Sequence, residues 1–144
     1  KWEHNMSRLI LDDVIAILTI RQEAEAESFE GKVAVAEVIW RRTQQKYNSN
    51  GTVIGTCLRA YQFSGWNTSD PNRIRCMMSD DEELIIQDCK RAWKTVQEGS
   101  NITNGALLYY NPKVIKIPPD WVKNCDQVVV IGNHTFYKPK VGVK

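Results

Sequence analysis

The chain has 144 residues, with 19 Lys+Arg against 17 Asp+Glu and a formal charge of +2. That length leaves no room for a long repeat array or two full domains, and a composition 42% apolar and 9% aromatic excludes global disorder. A charge this near zero, with no basic run longer than Arg41-Arg42, gives no footprint for nucleic acid, and no apolar stretch approaches the ~18 residues of a membrane span. The opening Lys1-Trp2-Glu3-His4 lacks the charged-then-apolar layout of a secretory signal and does not begin with Met, so it reads as a trimmed start.

Apolar residues from Leu9 to Ile20 cover a wide arc of one helix predicted from Ser7, its N-cap, to about Glu23, and this helix is expected to be central. A second helix is predicted from Gly31 to Tyr47, with Glu37 and Arg41 spaced for an i,i+4 ion pair, ending in the turn cluster Asn48-Ser49-Asn50-Gly51. A short helix from Thr52 to Ala60 precedes an ordered loop that carries Gln62-Phe63-Ser64-Gly65-Trp66-Asn67 and Asp70-Pro71-Asn72. Ser79-Asp80-Asp81-Glu82 has the pattern of a capping box, opening a helix that runs to Glu98 and stops at Gly99. After Leu107-Leu108-Tyr109-Tyr110-Asn111-Pro112 and a loop stiffened by Pro118-Pro119, Val128–Ile131 and His134–Tyr137 flank Gly132-Asn133 as a hairpin. The fold class is α+β: mainly helical, with a small antiparallel sheet near the carboxyl end.

Cys57, Cys76, Cys89 and Cys125 include no C-x-x-C pair, and His4 and His134 are the only histidines, so a structural zinc site is not expected. Free, mostly buried thiols are expected ahead of two disulfides, because a chain of this size builds a core without staples. Glu23, Glu25, Glu27 and Glu30 form the densest carboxylate cluster, at the junction of the first two helices. Crowded carboxylates raise one another's pKa, and one kept protonated near neutral pH can protonate a glycosidic oxygen. The competing reading is a solvated charge run at a helix end. Periodicity leaves the acid open: a continued first helix puts Glu25 in the middle of the apolar arc and Glu23 on its flank, while Glu37 is a rival buried carboxyl. His134 has no nucleophile and orienting partner assignable to it, and no phosphate loop, dinucleotide fingerprint or H-E-x-x-H is present.

Three separated segments together resemble one family: Glu23 through Ala36, Gln62-Phe63-Ser64-Gly65-Trp66-Asn67, and Tyr110-Asn111-Pro112 with Ile131 through Tyr137. They are similar to the SleB-type, spore-cortex-lytic cell-wall hydrolases, including phage-borne relatives in which the loop continues to Asp70-Pro71-Asn72-Arg73. The resemblance spans about residues 11–139. It implies a single catalytic domain over 1–144 with a lysozyme-like core over about 7–139, cleaving peptidoglycan glycan strands between N-acetylmuramic acid and N-acetylglucosamine. The first Glu of an E-A-x-G-E-x-x-E-G pattern, the essential acid, falls on Glu23; Glu27 and Glu30 match the second and third. Ala26 replaces the motif glycine, Gln22 stands where Gly is usual, Arg41 where Asn is usual, and Gly65 where phage relatives often carry Cys.

With no second carboxylate assignable across the bond, the resemblance suggests a lytic transglycosylase forming 1,6-anhydro-muramic ends, with Glu23 as acid and then base. Glu27, Gln62, Phe63, Ser64, Tyr109, Tyr110, Asn111 and His134 are the expected substrate-binding residues: Gln62 and Ser64 as hydrogen-bonding groups, Phe63, Tyr109 and Tyr110 as walls. The rivals are a water-using muramidase assisted by Glu25, Glu27 or Asp70, and a peptidoglycan-binding or structural phage component without turnover. No metal or organic cofactor, nucleic-acid partner or membrane insertion is implied, and the chain is expected to be a monomer. It is expected to act on the bacterial wall, in the periplasm or from outside, as a phage endolysin released through a membrane pore or a lysin carried on the virion.

Overall fold

The computed structural model describes residues 2–59, 62–63, 66–67, 70, 77–80 and 83–142, with side chains from residue 11 onward. The elements run α1 (Trp2–Ala24), α2 (Phe29–Gln45), α3 (Val53–Cys57), α4 (Leu84–Glu98), β1 (Leu108–Tyr110), a 3-10 turn (Asp120–Asn124), β2 (Cys125–Ile131) and β3 (His134–Pro139). The α+β class follows: helices pack first, and a three-stranded antiparallel sheet of order β1-β3-β2 covers one side.

The central helix is α2, which corrects the expectation for α1. Every residue from Gly31 to Ile39 is buried, whereas Leu11 and Val14 of α1 remain 53% and 45% exposed. The reason is position. One face of α2 packs on α1, α3 and α4, where Val35, Ile39, Ile20, Cys89 and Trp93 form the helical core. The opposite face supplies Ala34 and Val38 to a second core with Ile131 and Phe136 of the sheet. A helix covered on both sides needs apolar residues all round, and the Val33–Ile39 run has them at every position but Glu37.

Local chemistry moves several predicted boundaries. The α1 backbone is helical from Trp2, so Ser7 lies inside the helix instead of capping it. Ser28 caps α2 by accepting from Gly31 N–H at 3.2 Å, which starts that helix before Gly31. At the other end Lys46 takes the left-handed φ of 55° and stops it before Tyr47. Thr52 caps α3 through Gly55 N–H at 2.9 Å, and the helix ends at Cys57, short of Ala60. α4 begins at Leu84 with Glu83 as its N-cap, and Glu83 Oε1 accepts from Asp80 N–H at 2.7 Å in the turn before it; Asp81 and Glu82 of the expected capping box lie outside the described residues. Gly99 closes α4 as expected.

The hairpin forms around Gly132, whose φ of 59° is the conformation a primed turn asks of its first central residue. Ile131 pairs with His134, and a bulge between Gln127 and Val129 shifts the lower register. The third strand, β1, pairs Tyr109 with Phe136 and Tyr110 with Thr135. Cys57, Cys89 and Cys125 are free thiols, the first two buried; Cys76 lies outside the described residues. Among the described residues no helix is long and apolar enough to cross a membrane, and no group of side chains is arranged to hold a metal ion.

Candidate functional site

The glutamate cluster divides as soon as α1 ends. Because the helix stops at Ala24, the periodicity that would have placed Glu25 on the apolar arc no longer applies; Glu25 is exposed and ion-paired to Arg21 at 3.6 Å. Glu30 is exposed in the first turn of α2. Glu37 is buried as structural cement: its carboxylate accepts from Ile102 N–H at 2.8 Å, Thr103 N–H at 3.0 Å and the Ser100 and Thr103 hydroxyls, with Arg41 at 3.4 Å completing the expected ion pair. Burial raises its pKa, but these donors outweigh burial and hold the carboxyl below its ordinary value.

Glu23, on the last turn of α1, points into a cleft of about 480 Å³. Burial is the largest influence on its carboxyl and lifts the pKa above the ordinary value, and the charge of Asp70 lifts it further. The Tyr109 hydroxyl donates to Glu23 Oε1 and the Arg42 charge also favours the ionised form, but neither cancels the burial. Burial beside that carboxylate keeps the Tyr109 phenol protonated well above its usual pKa, so it stays a donor. Among the described residues, Glu23 is the one carboxylate lining the cleft.

Of the predicted binding residues, Gln62, Tyr109, Tyr110, Asn111 and His134 share this cleft with Glu23. The Tyr109 and His134 rings meet edge to face, 4.9 Å apart, and Tyr110 stacks on Tyr137. Burial lowers the His134 pKa, opposed by the Glu27 charge, so the imidazole is neutral at neutral pH, and its Nδ1 is buried with no partner. Arg42 Nη1 donates to Gln62 Oε1 at 3.0 Å, which assigns that amide's oxygen and leaves Nε2 as its donor for the cleft.

Two predicted residues stand elsewhere. Phe63 is 2% exposed, part of the helical core with the Arg42 guanidinium over its ring, and forms no wall of the cleft. Glu27 faces the hairpin turn, accepting from Asn133 N–H at 3.0 Å and Asn133 Nδ2 at 2.9 Å. Burial raises its pKa, but the Asn133 bonds and the His134 and Lys32 charges lower it more. Ser64 lies outside the described residues. The buried Lys32 ammonium donates to the Glu25 and Glu27 carbonyls of the turn between α1 and α2.

Sequence reasoning missed Val114 and Ile115, which also line the cleft, and four residues of more chemical consequence. Gln22 lines the cleft beside Glu23. Arg42 is buried and ties α2 to Leu107 O at 2.7 Å as well as to Gln62; a second arginine after the ion-paired Arg41 carried no signal of its own. Trp121 and Pro119 arrive from the 3-10 turn and the residue before it, and only the proline pair marked that segment.

The cell wall hydrolase family model matches residues 26–137, starting just after Glu23. The catalytic domain of the germination-specific lytic transglycosylase SleB from Bacillus anthracis superposes with a TM-score of 0.70 at 25% identity, covering 88% of this chain and 93% of that one. The SleB catalytic domain from Bacillus cereus gives a TM-score of 0.70 at 25% identity, covering 89% of this chain and 91% of that one. Comparison by sequence with curated proteins finds no significant match. Since the matched stretch runs from the α1–α2 turn into the last strand, the chain belongs to the cell wall hydrolase family.

Proposed function

We propose that the chain cleaves the glycan strands of peptidoglycan as a lytic transglycosylase, with Glu23 as the proton donor and then acceptor. The observation that carries this is the buried Glu23 carboxyl, raised in pKa and standing as the one carboxylate of its cleft among the described residues. The SleB fold and family support the substrate class.

Protonated Glu23 gives its proton to the glycosidic oxygen as the bond from the muramic anomeric carbon breaks. The muramic C6 hydroxyl then forms a new bond to that carbon, and its proton passes to the Glu23 carboxylate, which restores the acid. No water is consumed, and the nucleophile is held in the same sugar, where high effective molarity replaces a second carboxylate. Tyr109 donates to the carboxylate that the first step creates. Gln62, Asn111 and His134 offer polar contacts, while Tyr110 and Trp121 offer ring faces.

A water-using muramidase is the second reading, and one observation favours it: the Asp70 charge is felt at Glu23, which makes Asp70 its candidate base. Mass spectrometry of soluble products from peptidoglycan separates the two. Anhydro-muramic ends from the parent and none from Glu23→Gln are expected. Reducing muramic ends would move the assignment to the muramidase, and binding without products would leave a wall-binding component. The resemblance of the Asp70-Pro71-Asn72-Arg73 run to phage-borne relatives supports a phage or prophage lysin acting outside the cytoplasmic membrane.

A further inference from the structure

The Gln22 side chain is in an unusual position for a polar group. It occupies the last turn of α1, next to Glu23, and belongs to the wall of the same cleft. Both its Nε2 and its Oε1 are buried, and neither has a hydrogen-bond partner. Buried amides are nearly always satisfied, because water lost from a donor or acceptor must be replaced. Gln62 shows the ordinary arrangement, with its oxygen held by Arg42. Gln22 keeps a donor and an acceptor uncommitted, beside the group that handles the proton.

We infer that Gln22 is a specificity-determining residue of this cleft, its amide turning to hydrogen-bond an acetamido group of the glycan beside the bond under attack. This rests on the glycan-cleaving reading above. The chemistry of the wall selects the ligand group. A neutral amide that both donates and accepts matches a neutral group that does the same, and among the described residues no Lys or Arg lines the cleft to receive a carboxylate or phosphate. In an N-acetylated hexosamine the acetamido group sits on the carbon next to the anomeric centre, so it travels with the scissile bond. A residue adjacent to the acid is placed to meet it. A peptide stem, also rich in amides, hangs from the lactyl ether on C3, one carbon further from the anomeric centre than the acetamido group. Gln has three side-chain torsions, which lets the amide leave an unsatisfied pocket for a satisfied contact without movement of the helix.

The test uses the purified chain and Gln22→Met, which keeps length and volume but removes donor and acceptor. Rates are measured on stem-free glycan strands, on the same strands after de-N-acetylation, and on stem-bearing strands. The parent is expected to prefer acetylated strands. Gln22→Met should lose roughly 10-fold in rate on acetylated strands while holding its rate on de-N-acetylated ones, so that the preference collapses. It should also melt no lower than the parent, since an unsatisfied buried amide has been replaced by an apolar side chain of similar size. An unchanged preference overturns the inference, and so does a lowered melting temperature with equal losses on both strands, which marks a structural residue. An effect confined to stem-bearing strands overturns the acetamido assignment in favour of the peptide. Failure of the parent to cut any strand instead overturns the glycan-cleaving reading, and this inference with it.

Discussion

Tyr109 and Arg42 pull the Glu23 carboxyl toward ionisation, while burial and Asp70 push it the other way and win. That balance has two measurable consequences. Replacing Glu23 by Gln should lower turnover by roughly 1,000-fold, the scale of a lost general acid. It should leave the melting temperature at neutral pH equal or higher. A carboxyl with a raised folded pKa stabilises fully below its unfolded pKa and loses that contribution as pH rises through the folded one, so above the unfolded carboxylate pKa part of it is already gone, and the amide, which does not titrate, removes that loss. A clear drop in melting temperature for Glu23→Gln would contradict this. On the proposed mechanism the alkaline limb of the activity profile should report loss of the Glu23 proton. Tyr109→Phe removes a bond that favours the carboxylate, so the limb should move to higher pH while the rate falls about 10-fold. A limb that stays in place would separate Tyr109 from the titration. At this scale the motif singled out Glu23, but the pattern of apolar residues did not. Helix periodicity is silent once the helix stops, and α1 stops one residue after Glu23.

The elements hold the site by a clasp at the entrance of α2. Glu27, in the turn before α2, grips the hairpin turn through Asn133, and Gly132 lies so close that an added Cβ would stand 2.1 Å from Glu27 Oε1. Gly132→Ala must also adopt a φ of 59°. Together these should cost about 2 kcal/mol, read as a lower urea midpoint at unchanged slope. An unaltered midpoint would mean that the turn is not fastened there. Because His134 follows this turn directly and touches Tyr109, the same variant should lose activity in excess of any loss of folded protein. The hairpin itself was legible from Gly132-Asn133 between two apolar runs, since turn chemistry is local. The partner of β1 is not legible in the sequence, because its pairing with β3 depends on residues far away in the chain. Phe63 was expected on a cleft wall and is core instead, because an aromatic in a loop motif has the same sequence appearance in either place.

Across the whole molecule, Glu37 links the helical layer to the sheet. From the middle of α2 it anchors the Ser100–Thr103 segment that leads into β1. Glu37→Ala strands those donors and the Arg41 charge, and should cost about 3 kcal/mol at neutral pH. A folded pKa held below the ordinary value means that this stabilisation is present above the unfolded carboxylate pKa and is lost as pH falls through the folded one. The parent should therefore lose stability in acid more steeply than Glu37→Ala, and parallel curves of urea midpoint against pH would remove Glu37 from that role. The ion pair with Arg41 was readable from i,i+4 spacing, but not its conversion into a loop anchor. By itself the sequence determined the helices, the hairpin, the α+β class and the family, because periodicity, caps, turn residues and motif order are written within short stretches of chain. Only the tertiary structure decided which glutamate faces a cleft, that α2 and not α1 is central, and that Arg42, Gln22 and Trp121 lie near Glu23. Burial and its effect on a carboxyl come from neighbours that meet only when the chain has folded.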